Sequence, residues 1–592
     1  MRSPTAVLAL AVLAILAATP AAQASDPPTS VGRGGGAATV DRLATQAAID
    51  TLRGGGNATD AAVTAAAVLG VTEPFSCGVG GGGFMVSYDA RARAVTTLDQ
   101  RERAPLAMGP DAFFENGAAL SFNDARYSGL SVGVPGTVRG WARALRRHGT
   151  ISLAQALAPA IRVAREGFVV DAGFAAQTQE NLDYFDDVPA AAALYLDPDG
   201  TPHDVGTVFR NPDLARTYAL IARRGPAGFY RGPLAEAIVQ TVRNPPLSAS
   251  ANHSFRPGLM NAADLRDYTA PERPPVHTTY RGVDVFGMGP PSSAGSTIGE
   301  ALNILEGYPL GSMSREEALH YELEASRLAF ADRGTYVADP DFYDVPLAGL
   351  ISKGFADSRR ALITPSAATS PVAPGDPYAF GGDGAAGAGE ASVTSTRAGS
   401  TTHITVGDKR GDVVSYTFTN EATGGSGLVV PGYGFLLNNE LTDFNYTSTT
   451  HPNRVEGGKR PRSSIAPTIV LRDGRPWLGL GSPGGSTIIT TVLGLVVDRI
   501  DLGSTLPAAI AAPRASERNT PTATAEPAFI ASPEGAALQA RGHAFAPAPL
   551  AGGAPEIGAA TGIEFLDKHG LLAAAEPVRR GGGSALVVEP EG

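Results

Sequence analysis

The sequence predicts an α/β protein of the mixed (α+β) kind, helix-rich at first and strand-rich towards its end. Three observations predict it. Over roughly the first 350 residues, apolar positions recur mainly at i, i+3 and i+4, the helical period. The final third carries short β-branched or alternating runs bounded by Gly, Pro and Asn. Hydrophobic residues make up 43% and charged residues 18% of the 592, enough apolar surface for a substantial core. Length alone predicts about four domains.

Composition excludes several functions. The formal net charge is −11, against a protein that binds nucleic acid through phosphates. A single cysteine, Cys77, excludes an intramolecular disulfide framework and any site built from several thiolates. The nine histidines include no HExxH and no close pair in sequence, so no metal site and no cofactor are expected.

Residues 1–24 have the pattern of a cleavable export signal. Arg2 gives a positive start, Ala6 to Ala18 is apolar, and Ala22 and Ala24 are small residues before Ser25. As a helix that run reaches only about 20 Å, short of a hydrocarbon core. A secreted protein without a membrane span is expected.

Thr39 to Gly70 has helical spacing interrupted by Gly54-Gly55-Gly56. Gly78 to Gly83 precedes a plausible strand. Its formal GxGxxG opens no helix, so close backbone packing is the better reading. Gly129-Leu-Ser131-Val-Gly133 matches G-x-S-x-G, but the polar run before it is not the strand a nucleophile elbow requires. Cys77 is expected to be a small buried apolar residue. Further helices are expected over Val138–His148, Ser152–Phe168 and Asp213–Val242, and a strongly amphipathic one over Glu316–Asp332.

After Leu362 the composition changes. Residues 363–400 are rich in Pro, Gly, Ala and Ser without apolar period, and are expected to be flexible. The segment ends abruptly at Thr401-Thr402-His403-Ile404-Thr405-Val406, a strand pattern. Strands follow at Val413–Thr419, Ile465–Arg472 and Trp477–Ser482, then an apolar helix from Ser486 to Ile500. Two accounts of the junction stand. It is a linker between domains, or it is a processing site. In the second, a cut at Ser400–Thr401 frees an α-amine, of pKa near 8, that can activate the Thr401 hydroxyl. Composition does not choose between them.

Ordered motifs over nearly the whole chain do choose. They include Gly54-Gly-Gly-Asn-Ala-Thr-Asp, Arg101-Glu-Arg-Ala-Pro, Gly133-Val-Pro-Gly-Thr, Pro290-Pro-Ser-Ser-Ala-Gly and Ala331-Asp-Arg. Thr401-Thr-His, Leu437-Asn-Asn-Glu, Lys459-Arg-Pro-Arg-Ser-Ser, Gly481-Ser-Pro-Gly-Gly-Ser and Glu576-Pro-Val-Arg-Arg follow. The set resembles the γ-glutamyltranspeptidase family (glutathione hydrolase proenzymes), of the bacterial type with a short lid loop. The resemblance implies a four-layer αββα sandwich of the N-terminal-nucleophile hydrolase type. It implies self-cleavage into a large subunit, 25–400, and a small catalytic subunit, 401–592, packed as one structural unit.

By the same resemblance Thr401 is the nucleophile and Thr419 orients it. The backbone N–H groups of Gly484 and Gly485, ahead of a helix, form the oxyanion hole. Arg101, Ser463 and Ser464 take the substrate α-carboxylate, which a planar guanidinium can bind bidentately. Glu440 and Asp443 take the α-ammonium. Taken alone, Arg101 reads as a surface residue and the two acids as solvated loop charges. Glu421 stands where many members carry asparagine, and should favour the ammonium end. The loop between Asp443 and Ser463 is short, with Tyr446 its one tyrosine. It predicts an open pocket, tilted towards hydrolysis and open to bulkier donors such as poly-γ-glutamate. Expected partners are γ-glutamyl donors and amino-acid or dipeptide acceptors. The alternatives are an acylase of the same fold with another acyl preference, such as a cephalosporin-type acylase, and an uncleaved secreted binding protein.

Overall fold

The computed structural model describes residues 28–381, 400–551, 554–567 and 570–591. The expected export signal lies outside the described residues. Among those described, no helix is long and apolar enough to cross a membrane.

One antiparallel sheet of thirteen strands organises the chain. Its path runs Glu272–Arg273, Ala94–Asp99, Gly82–Asp89, Val413–Glu421, Ser400–Asp408 and Thr29–Thr39. It continues through Leu571–Ala575, Thr561–Phe565, Arg475–Gly481, Thr468–Arg472, Val283–Gly287 and Val276–Tyr280. Ser584–Pro590 pairs beside this path with Thr29–Thr39. Strands twist against their neighbours, and a sheet this wide curls. Its two halves meet face to face. Ser415 donates to the Leu480 carbonyl at 2.8 Å and accepts the Thr468 N–H at 3.1 Å, joining strands far apart along the path.

Helices cover both outer faces. Arg42–Arg53, Ala58–Thr72, Leu153–Glu166 and Pro212–Arg224 pack into one apolar core with Ile404, Val406 and Tyr416. Ala294–Leu305, Arg315–Tyr336 and Thr487–Ile500 pack into the other with Ile469, Leu478 and Leu480. Helix, sheet, sheet, helix is the four-layer αββα arrangement, and the division into about four domains does not hold.

Local sequence explains the buried helix Ala58–Thr72. Alanine is the best helix former, and Asn57 with Asp60 closes a capping box at its start. Asp60 then accepts the Thr150 hydroxyl at 2.6 Å, so its buried charge is met.

Two expectations need correction. Arg315–Tyr336 is a helix but not amphipathic. From Leu323 onwards every residue is buried, and polar members such as Glu324, Arg327, Asp332 and Arg333 face protein partners instead of water. Residues 363–381 are not loose. The Ala368 N–H donates to Glu324 at 3.1 Å, and Val372 exchanges two hydrogen bonds with the Asn519 side chain. The Gly375 carbonyl accepts from Tyr336 at 2.7 Å. Backbone tied at this many points is ordered despite its Pro-Gly-Ala-Ser composition. Residues 382–399, the rest of the expected flexible tail, lie outside the described residues.

Candidate active site

The site starts from a register slip. Ser400–Asp408 pairs with Val413–Glu421 so that Thr401 faces Thr419, and the pairing shifts by one residue between Ser400 and Thr401. Such bulges re-aim side chains at functional positions. Glu421, opposite Ser400, has φ 81°, a left-handed conformation costly for a residue with a Cβ. The Thr401 hydroxyl donates to Thr419 Oγ1 at 3.2 Å. Thr419 also accepts the Glu421 N–H at 2.7 Å and donates to the Ser400 carbonyl at 2.6 Å. Behind them the Ser400 and Ser76 hydroxyls lie 2.8 Å apart, and Arg580 donates to the Thr401 carbonyl at 2.7 Å.

The glycine run 80–83 makes this packing possible. A Cβ on Gly81 would lie 2.0 Å from the Thr419 carbonyl oxygen, so the expected close backbone approach is what the run provides.

Thr401, Thr419 and Gly485 line one cavity of about 130 Å³. Gly484 and Gly485 have φ of 135° and 59°, and the helix Thr487–Ile500 follows. Among the described residues neither glycine N–H has a protein acceptor. Two unspent donors at a helix N-terminus suit a developing negative charge. Gly485 and Ser486 line the cavity, and Gly484 does not.

Arg101, Glu421, Glu440 and Asp443 share the same cavity. Arg101 and Glu440 are fully buried, so neither is a surface or loop charge. The arrangement differs from a free cation beside two free anions. Arg101 donates to Glu440 and, at 2.5 Å, to Asp443, and its other donors reach the Pro461 and Arg462 carbonyls. Burial opposes the charge of Arg101, but Glu440 and Asp443 outweigh it and hold the guanidinium protonated. Burial pushes the Glu440 carboxyl up, with Arg101 pulling against it. Burial, reinforced by Asp443, raises Glu421 to about 7, while the Asn439 amide that donates to it pulls it down. Three carboxyl groups here give an ammonium oxygens to donate to, with Glu421 gaining its charge above about pH 7.

Ser463, Ser464, Arg333 and Arg462 also line the cavity. The Ser463 oxygen accepts the Ile465 N–H at 3.1 Å, and the Ser464 oxygen accepts from Arg333 at 2.7 Å. The short loop after Asp443 brings Phe444 and Asn445 to the cavity. Tyr446 instead packs on Phe113, with ring centroids 5.2 Å apart.

The other candidates have structural roles. Ser131 donates to the Arg126 and Ser128 carbonyls within a turn. Cys77 is buried, and burial pushes its thiol well up, away from a reactive thiolate. Among the described residues His320, Glu324 and His543 bring possible metal-ligand atoms within 4.8 Å of one another. The fold makes this histidine pair, which no sequence spacing shows. Those atoms are already engaged. His320 bonds to His543 at 2.8 Å and to the Thr364 carbonyl at 2.7 Å, and Glu324 pairs with Arg327.

Arg333, Arg462 and Ser486 stand in the quoted motifs without an assigned role and Thr442 in none of them, yet all four line the cavity. The position of Arg462, directly before the serine pair, is the signal that could have found it.

The chain matches known proteins over most of its length. The family model described as Gamma-glutamyltranspeptidase matches residues 44–586. The chain is 38% identical over 520 residues to a glutathione hydrolase proenzyme of Bacillus subtilis (strain 168), covering 85% of this chain and 86% of that one. It is 35% identical over 544 residues to the glutathione hydrolase proenzyme of Escherichia coli (strain K12), covering 87% and 88%. Among solved structures, a cephalosporin acylase from Bacillus halodurans superposes with a TM-score of 0.82 at 28% identity, covering 98% of this chain and all of that one.

Proposed function

The chain belongs to the γ-glutamyltranspeptidase family, and from that premise we propose that it is a self-cleaving γ-glutamyl hydrolase and transferase whose nucleophile is Thr401. The observation that carries this reading is the relay from the Thr401 hydroxyl through Thr419 to the Ser400 carbonyl, at the wall of a cavity with unspent backbone donors.

In the precursor, Thr401 Oγ1 attacks the Ser400 carbonyl carbon while the Thr419 hydroxyl stabilises its oxygen. The peptide nitrogen leaves with a proton, giving an ester of Ser400 on Thr401. Water hydrolyses that ester, leaving a Ser400 carboxylate and a free Thr401 amine. The products are a large fragment, 25–400, and a small one, 401–592. The freed amine then takes the hydroxyl proton as Thr401 attacks the γ-amide carbonyl of glutathione or a related γ-glutamyl compound. Gly484 and Gly485 N–H groups receive the oxyanion. The amine returns its proton to the leaving group. Water, or an amino-acid or dipeptide amine, resolves the γ-glutamyl ester.

Glu421, Glu440 and Asp443 hold the substrate ammonium, and Ser463 and Ser464 its carboxylate, beside Arg101. Export through residues 1–24 is part of the proposal, supported by the targeting pattern of that segment.

The likeness to a cephalosporin acylase favours a second reading, hydrolysis of an acyl amide with a plain dicarboxylic side chain. Such a chain has no ammonium for the three carboxylates to meet, which supports the γ-glutamyl reading.

The test is a denaturing gel and N-terminal sequencing of wild type beside Thr401→Ala, with turnover of γ-glutamyl-p-nitroanilide. Expected are two wild-type fragments, the smaller beginning Thr-Thr-His, and one inactive uncut chain for the variant. A single uncut wild-type chain would sink the nucleophile assignment.

A further inference from the structure

The carboxylate end of the cavity lacks a cation if Arg101 alone is to provide it. Four of the five N–H donors of Arg101 are taken by Glu440, Asp443 and two carbonyls, and Glu421 lines the cavity with them. Arg333, buried at 5% exposure, lines the same cavity. Among the described residues it makes no ion pair. Its Nε donates to Ser293 Oγ at 2.7 Å and its Nη2 to Ser464 Oγ at 2.7 Å. Ser293 in turn donates to the Ser463 carbonyl at 2.6 Å. One guanidinium thus braces both serines, one through its hydroxyl and one through its backbone.

The direction of these bonds matters. A hydroxyl has one proton, and an oxygen that accepts from Arg333 is free to donate elsewhere. Among the described residues the Ser464 proton has no protein acceptor, and Ser464 lines the cavity. A buried guanidinium bonded only to hydroxyls is also electrostatically unmatched, a costly arrangement unless an anion completes it. Burial, then the neighbouring Arg462, pushes Arg333 well below the ordinary guanidinium range, with Arg518 adding to this and Asp443 opposing it. Arg333 and Arg462 both line the cavity and bring positive charge to it, with Arg518 behind the lining.

We propose that Arg333 is a positioning residue for substrate recognition: it turns the Ser464 hydroxyl into the cavity and supplies the positive charge against which the carboxylate of the acyl group is held. This rests on the γ-glutamyl reading above and adds to it the residue that orients the Ser464 hydroxyl.

The experiment compares two donors, γ-glutamyl-p-nitroanilide and 4-aminobutanoyl-p-nitroanilide, which lacks only the α-carboxylate. The readout is the ratio of their kcat/KM values in wild type, Arg333→Gln, Arg333→Lys and Ser464→Ala. A charge-assisted hydrogen bond lost to Gln should lower the preference for the γ-glutamyl donor about 10- to 100-fold, through KM more than kcat. Arg333→Lys should restore part of it. Arg333→Gln combined with Ser464→Ala should lose less than the product of the single losses. If both donors fall together and the preference stays within about twofold, Arg333 only supports the fold and the proposal is overturned. If Arg333→Gln fails to cut itself or to fold, the same ratio is read from Arg333→Lys and Ser464→Ala. An unchanged ratio in both is equally fatal. Failure of the underlying reading shows separately, as wild type that turns over neither donor.

Discussion

The hydroxyl of Thr401 donates to that of Thr419 at 3.2 Å, and Thr419 donates onward to the Ser400 carbonyl at 2.6 Å. One side chain thus touches both the attacking oxygen and the bond it would break. Thr419→Val keeps the shape and removes the donor. Losing one oxyanion donor costs about 10²- to 10³-fold in rate, so the variant should accumulate as uncut chain while Thr419→Ser still matures. Densitometry of the precursor band over time checks this, and an unchanged rate in Thr419→Val would refute the role.

Glu421 is held near pKa 7 by burial and Asp443, against the pull of Asn439. It is an anion only above that pH, so KM for a γ-glutamyl donor should fall as pH rises through about 7. Glu421→Gln should flatten that limb. The sign for stability is opposite. A carboxyl raised in the folded state binds its proton more tightly there, and folding loses stability as pH climbs from the ordinary carboxylate value to the folded one. Glu421→Gln should therefore raise the melting temperature more at pH 8 than at pH 5.

Arg101 and Glu440 are a buried pair, and removing one partner strands the other. Arg101→Gln should cost about 3–5 kcal/mol of stability. The double variant with Glu440→Gln should recover part of that loss. Denaturant midpoints of the four proteins give the coupling, and simple additivity would mean that the pair is not held as described.

His403 is fully buried between Thr417 Oγ1 at 2.6 Å and Thr405 Oγ1 at 3.0 Å, and burial pushes it down to about 3. It stays neutral in the fold but protonates near 6.5 when unfolded. Its contribution is complete above that pH and is lost below it, at about 1.4 kcal/mol per pH unit. Unfolding free energies of wild type and His403→Gln between pH 4 and 7 should differ in slope by that amount. Parallel curves would mean that the imidazole takes a proton in the folded state.

The loop after Asp443 sends Tyr446 onto Phe113 and only Phe444 and Asn445 to the cavity. Water should then compete well for the acyl-enzyme. At saturating glycylglycine, hydrolysis should remain a large share of turnover, and a great excess of transfer would count against the open pocket.

Legibility in the sequence followed how local each signal was. Thr401 stood out because a loop-like composition meets a β-branched strand at that residue. The helix Ala58–Thr72 was legible from its apolar spacing after the triple-glycine break. Arg101 did not reveal its burial, because the carboxylate that permits it lies 339 residues away. The polar positions of Arg315–Tyr336 read as a solvent face for the same reason. The strand Thr29–Thr39 was missed because Gly-Arg-Gly-Gly-Gly opposes strand propensity. The fold needs those glycines. A Cβ on Gly32 would lie 2.0 Å from the Glu589 carbonyl oxygen.

That strand also bears on how the protein is assembled. Thr29–Thr39 lies between Ser400–Asp408 and Leu571–Ala575, so segments from both sides of residue 400 alternate through one sheet. A cut there makes a second chain without making a second body. Fragments synthesised apart would each present open strand edges, which invite the wrong partners. The intact bond keeps the halves at high effective concentration while the sheet closes. Under the proposed cleavage, the peptide link lost on maturation would be the protein's own assembly tether, needed until the fold is complete.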